Sequence, residues 1–318
     1  MSNIEPKNPL NQKAYIITGP TSGIGRATAL ELAHHGTVIL VGRDPQRLGE
    51  VQKIIEQKGQ QAVSVVCDLA DPASVGRAAA EISALDLPIA GLLHNAGILQ
   101  MRPTKSARGW DLAFATNHLG PFALTEALAP SLPDGAQVVF VVSATENPAH
   151  KPAVTAGFRG GRYLSAEASA RGEWKPGGAR QPGLDAYATS KQAILAAAMA
   201  FARETPRLRF NAIEPGLIPT TGLGGGDLGA FLRFLQRFVI PLLVPLLRPF
   251  IKILSTPQRA GRVITEILID ASAQTGVYYD ESGHPMQGSA LVRDPQFQDR
   301  VVAETRALLA TNLTTNRA

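Results

Sequence analysis

The chain has 318 residues, 45% hydrophobic and 18% charged, with a formal net charge of +5. That length and apolar content support one large α/β domain with a buried core. A single cysteine, Cys67, excludes an internal disulfide and a cysteine metal cluster, and the absence of a basic stripe interleaved with aromatics argues against nucleic acid as a partner.

The opening Met1-Ser2-Asn3-Ile4-Glu5-Pro6 is polar and lacks the layout of a secretory leader, so a cytoplasmic location and a flexible tail over 1–12 are expected. From Ala14 to about Phe210, short β-branched runs alternate with longer helical patterns. Strands are predicted at Ala14–Thr18, Thr37–Val41, Ala62–Cys67, Ile89–His94, Gln137–Ser143, Leu208–Ile213 and Gly276–Tyr279. The expectation is an α/β fold: a single Rossmann-type doubly wound domain over 13–312, with a seven-stranded parallel sheet, helices on both faces and a tail at 313–318. Ligands of such a sheet bind beyond the carboxyl ends of its strands, so the residues just after each strand are the first to inspect.

After the first strand comes Thr18-Gly19-Pro20-Thr21-Ser22-Gly23-Ile24-Gly25. Gly19 permits the sharp turn, Gly23 lets the backbone approach a phosphate, and Gly25 lets helix and strand pack closely, an arrangement that cradles a dinucleotide pyrophosphate. Glycine trios also occur in turns that bind nothing. At the second strand's tip, Val41-Gly42-Arg43-Asp44 has glycine where a cofactor lacking the 2′-phosphate usually meets a carboxylate, and arginine next to it. A guanidinium matches a phosphate dianion, so NADPH is expected over NADH, with Arg43 on the 2′-phosphate and Arg47 as a candidate helper; the plainer reading makes Arg43 a solvated turn residue.

Asp68, with Leu69 behind it, follows the third strand and is placed to accept from an adenine amino group. It could instead cap the next helix, a role that Asp71 fits better. Asn95-Ala96-Gly97, after the fourth strand, are small enough to let the backbone run beside the cofactor's ribose, while Asn95 could also tie down the neighbouring strand. Ser143 ends the fifth apolar run at the ligand edge, where it can donate to a developing alkoxide. Residues 144–186, rich in Gly, Pro and charge, read as a long insertion; Lys151, Arg159, Arg162, Arg171, Lys175 and Arg180 form either a wall of the site or solvated surface. Tyr187 and Lys191 then fall four apart on one helix face, where an ammonium can favour the ionised phenol and make a proton donor or acceptor.

Residues 228–254 carry Phe231, Phe234, Phe238 and Phe250 among Leu and Val, with basic residues and no acid. A substrate lid over 220–255 for a bulky hydrophobic substrate is expected, with peripheral contact at a membrane surface or core and subunit packing as other uses of the segment. Phe238–Leu247 is too short to span a bilayer and contains Pro241 and Pro245. The Ala-rich stretch 193–202 permits close helix packing, within one subunit or between two, and leaves the oligomeric state open.

Taken in order, the glycine turn from Thr18 to Gly25, Asn95-Ala96-Gly97, Asn117, Ser143 and Tyr187-Ala188-Thr189-Ser190-Lys191 resemble the short-chain dehydrogenase/reductase family over about Lys13 to Leu309. The resemblance implies an oxidoreductase that interconverts a ketone or aldehyde and its alcohol with NADP(H). It implies Tyr187 as general acid or base, Lys191 lowering its pKa and holding the nicotinamide ribose, Ser143 positioning the substrate oxygen and Asn117 fixing a water; Asn117 as an ordinary buried polar residue is the rival reading. Pro215 and Gly216 would border the nicotinamide, and Thr220 its carboxamide or the pyrophosphate. Thr116–Gly120, the long gap before Tyr187 and Glu214–Leu223 are similar to the branch holding retinol dehydrogenases and light-dependent protochlorophyllide reductase. The pigment enzymes carry cysteine where this chain has Leu217 and, usually, where it has His94, which argues for ordinary carbonyl chemistry. A protein that binds NADPH as a sensor or scaffold, without chemistry, is the rival from another class. No metal site is expected.

Overall fold

A computed structural model describes residues 13–218, 255–272 and 274–314. The first strands and helices alternate as expected: β1 Ala14–Thr18, α1 Gly23–Leu32, β2 Thr37–Gly42, α2 Pro45–Glu56, β3 Ala62–Val66, α3 Pro72–Ala84 and β4 Ile89–His94. They are followed by a helical turn at Leu112–Phe114, a wider π turn over Ala115–Leu119, α4 Gly120–Leu128 and β5 Gln137–Val141. The remainder comprises α5 Lys151–Thr155, α6 Ala166–Arg171, α7 Pro182–Glu204, β6 Arg209–Ile213, α8 Pro257–Ile269, β7 Tyr278–Tyr279, β8 Pro285–Met286 and α9 Pro295–Thr314.

The strands form one sheet in the order β3-β2-β1-β4-β5-β6-β7-β8. All neighbours run parallel except β7 and β8, which pair antiparallel. The expected seven strands are therefore joined by an eighth. Two residues long and beginning with proline, β8 has the form of an edge strand, since proline donates nothing to the ladder.

Period-two alternation along the strands divides the core. Ile16, Ile39, Val65, Leu92 and Val138 face α3, α4, α7 and α9, whereas Ile17, Leu40, Leu93 and Val139 face α1, α2 and α8. Both faces are thus apolar, which is why the strands read as continuous hydrophobic runs. Helix starts are written locally: Asp44, Asp71 and Thr256 accept from the first-turn amides of α2, α3 and α8, each with proline directly after the cap. The alanines from Ala193 to Ala202 on α7 are buried against the sheet within this one chain.

Candidate active site

The turn after β1 has the backbone form that the glycines suggested. Gly19 and Gly23 adopt φ of 68° and 53°, and a Cβ on Gly25 would lie 2.1 Å from the Gly19 carbonyl oxygen. Only glycine fits there, which lets α1 pack closely on the turn; the helix begins without a side-chain cap at Ser22, the arrangement of backbone amides that suits a pyrophosphate. Thr21 and Ile24 are half-buried beside it. Thr18 is fully buried, and its hydroxyl accepts from the amides of Asn95 and Ala96, both at 3.0 Å. Asn95 donates to the carbonyls of Thr18 and Gly19 at 3.0 and 3.1 Å, which is the strand-tying role. Together these bonds hold the glycine turn against the end of β4.

Arg43 is exposed at the tip of β2. Asp44 commits its carboxylate to the Arg47 amide as the α2 cap. Asp68, half-buried after β3, accepts from the Ala70 amide at 3.0 Å, while Asp71 caps α3 as anticipated. Leu69 is buried beneath α4, whose Gly120 would place a Cβ 2.3 Å from the Leu69 carbonyl oxygen.

The four residues assigned to the chemistry converge on this sheet edge. On α7, Tyr187 and Lys191 are 7% and 4% exposed, and the Lys191 ammonium lies 5.6 Å from the centre of the Tyr187 ring. Lys191 Nζ donates to the Val141 carbonyl at the end of β5 at 2.8 Å. Ser143 opens the next turn, where its hydroxyl accepts from the Thr145 amide at 3.3 Å and lies near enough to the Tyr187 phenol to favour its ionised form. Asn117 lies in the π turn; it accepts from the Ile98 amide at 2.8 Å and donates to the Ile98 carbonyl at 2.9 Å and to Ser190 Oγ at 3.0 Å. A Cβ on Gly97 would sit 3.4 Å from both Asn117 Oδ1 and Lys191 Nζ, so glycine keeps the floor between them open. Pro215 and Gly216 follow β6, with Gly216 at φ 81°. Thr220 and residues 228–254 lie outside the described residues, as does nearly all of the expected lid.

Burial, and after it the Glu214 charge, hold the Tyr187 phenol above the ordinary tyrosine value, while Ser143 pulls the other way. Burial lowers Lys191 to about 8. Within the protein alone, desolvation outweighs the helix-face cation, and the phenol keeps its proton at neutral pH.

Reading the sequence missed several residues here. Phe158 of the insertion, 6.1 Å from the Tyr187 ring centre, joins Leu184 and Ala153 with Leu99 and Met101 alongside, an apolar wall around the phenol. Of the two readings of the insertion's basic residues, solvated surface fits their exposure: Lys151, Arg159, Arg171, Lys175 and Arg180 are exposed and Arg162 half-buried. Ser190, inside the Tyr-to-Lys spacing, ties Asn117 to α7. Glu214 is buried at the same edge, and an acid directly after an apolar strand was the signal for it. His94 donates to Thr125 and stacks on Phe140, and burial lowers it to about 3, so it is a neutral packing residue.

A family profile described as short chain dehydrogenase matches residues 13–155. Over that stretch the chain matches the short-chain dehydrogenase/reductase family. It is 38% identical over 146 residues to a polyprenol dehydrogenase of Mus musculus, covering 43% of this chain and 44% of that one. To protochlorophyllide reductase B of Hordeum vulgare it is 29% identical over 300 residues, covering 86% and 73% of the two chains. Among solved structures, a blue fluorescent protein from a metagenomic library in complex with NADPH has the same fold, with a TM-score of 0.60, 21% identity and coverage of 86% and 98%. The chain spans between 37% and 62% of the length of the first four curated relatives it matches. No helix among the described residues is long and apolar enough to cross a membrane.

Proposed function

We propose that residues 13–312 act as one NADP(H)-dependent oxidoreductase domain interconverting a ketone or aldehyde and its alcohol on a bulky hydrophobic substrate. The observation that carries this is the meeting, at one sheet edge, of a glycine turn too tight to admit a Cβ with a buried phenol beside Ser143 and backed by Lys191. Thr21, Ser22, Gly23 and Ile24 would hold the pyrophosphate, Arg43 the 2′-phosphate, Asp68 the adenine, and Gly97 with Lys191 the nicotinamide ribose. The hydride comes from the nicotinamide when that group is bound.

The protein's part is the proton. As the carbonyl carbon takes the hydride, the carbonyl π electrons move to oxygen, and Tyr187 transfers its phenolic proton to that oxygen. The phenolate left behind is stabilised by Ser143 and by Lys191 and regains a proton from solvent. The apolar wall of Phe158, Leu184, Leu99 and Met101 and the apolar segment 228–254 support a lipophilic substrate, as does the likeness to a polyprenol dehydrogenase.

Replacing Tyr187 with Phe should reduce NADPH consumption with retinal, steroid, aldehyde and quinone substrates by at least about 100-fold, general acid catalysis being worth that much. NADPH affinity, read by fluorescence titration, should stay nearly intact. Undiminished turnover would refute the proton donor. The likeness to protochlorophyllide reductase favours a second reading, light-driven reduction of a pigment double bond, with Leu217 and His94 against it. Turnover of a carbonyl in darkness separates the two.

A further inference from the structure

One charged group at this edge has no part in the scheme above. Glu214 directly follows β6 and is only 8% exposed. Its Oε2 accepts from the Ala144 amide and its Oε1 from the Gly216 amide at 3.1 Å, so one carboxylate spans the turns that follow β5 and β6. Ser143 directly precedes Ala144 in the first of these turns, and its hydroxyl, which accepts from the Thr145 amide at 3.3 Å, is near enough to favour the ionised forms of both Glu214 and Tyr187. Each oxygen serves one backbone donor, on a different turn. A glutamine offers a single acceptor oxygen and so cannot replace this set, and a buried carboxylate is retained against its desolvation cost only when so satisfied.

We propose that Glu214 is a positioning residue for the proton transfer: it locks the Ser143 turn to the Pro215–Gly216 turn and aims the Ser143 hydroxyl at the Tyr187 phenol. The proposal rests on Tyr187 being the proton donor. The groups facing Glu214 are Tyr187 and Lys191 from α7, Ser143 after β5, and Tyr278 of β7, whose buried hydroxyl has no hydrogen-bond partner among the described residues. Tyr278 also feels Glu146, whose carboxylate is engaged by Ser289. Burial raises Glu214 itself, against the pull of the Ala144 and Gly216 amides and Lys191; when ionised it raises the phenol of Tyr187 and supports the ammonium of Lys191. Loss of that charge therefore moves the phenol downward.

The test measures kcat and KM against pH for the reduction of benzaldehyde and of all-trans-retinal by NADPH. Wild type, Glu214→Gln, Ser143→Ala and the double variant are compared. Glu214→Gln should lower kcat about tenfold with KM nearly unchanged and move the alkaline limb of kcat to lower pH, because the protonated phenol is lost sooner. In the Ser143→Ala background the same change should cost little more, since Glu214 acts through that hydroxyl. Equal losses in both backgrounds, or an unmoved limb, overturn the proposal. Should the glutamine variant lose its unfolding transition, Glu214→Asp decides: it keeps the charge but withdraws the carboxylate, so a kcat below wild type with the limb in place supports the proposal and a wild-type kcat overturns it. Tyr187→Phe run alongside keeps the two readings apart. Turnover retained there sinks the proton donor, whereas turnover lost there beside an unchanged Glu214→Gln sinks Glu214 alone.

Discussion

Arg43 stands in solvent at the end of β2, beside an aspartate whose carboxylate is already engaged by the Arg47 amide. The neighbouring acid is therefore occupied as a cap, and the guanidinium is left to meet an anion arriving over the glycine turn. A charge-assisted hydrogen bond is worth about 1.5–3 kcal/mol, or about 10- to 100-fold in affinity. Arg43→Ala should weaken NADPH by that factor and NADH by less than about twofold. Titration of both nucleotides by fluorescence checks this, and equal losses would mean that the arginine does not read the 2′-phosphate. At the same scale, the four-residue spacing places the Lys191 ammonium 5.6 Å from the Tyr187 ring centre, while in the protein alone the phenol stands above its ordinary value. Helix spacing gives neighbours and says nothing of burial, and here desolvation and a carboxylate 27 residues downstream outweigh the cation.

At the scale of elements, the insertion after β5 is held by the last helix. Tyr163 is fully buried, packs edge-on against Phe297 of α9 and donates to Glu304 at 2.8 Å, while the Ala166 amide that opens α6 donates to the same carboxylate at 3.0 Å. Tyr163→Phe removes one donor and should cost about 1–3 kcal/mol. Faster tryptic cleavage after Arg159 or Arg162 and a lower thermal midpoint are the expected signs; unchanged cleavage would show that α9 does not anchor the segment. The strands were legible because both sheet faces are apolar and each run is bounded by a turn, so β1 and β4 match their predicted bounds and the others differ by one or two residues at an end. Helices α5 and α6 were not, since five and six residues are too few to display a helical period. Local signals for α6 were nonetheless present: Ser165 caps it and Gly172 ends it at φ 80°. Glu214 escaped for another reason, because its partners come from turns that only the fold brings together.

For the molecule as a whole, two neutral histidines tie distant parts of the chain to the core. Thr305 of α9 spends its own hydroxyl proton on the Val301 carbonyl, so it accepts from His118 Nε2 at 2.9 Å; Thr125, donating to Pro121, accepts in the same way from His94. Each ring therefore carries its proton on Nε2 and buries a bare Nδ1 with no partner among the described residues. Protonating that nitrogen inside the core is costly, and burial lowers both histidines from 6.5 to about 3. The unfolded chain thus takes up these protons first, so the stability they confer is complete above pH 6.5 and drains away as pH falls toward 3. Each histidine contributes a slope of about 1.4 kcal/mol per pH unit in that window. His118→Gln keeps a donor for Thr305 but cannot titrate, and it should flatten the fall in urea-unfolding free energy between pH 6 and pH 4 by about that amount per unit. An identical slope in the variant would mean that His118 protonates as readily in the fold as out of it, and that acid opens the molecule elsewhere than at the seam between α9 and the π turn.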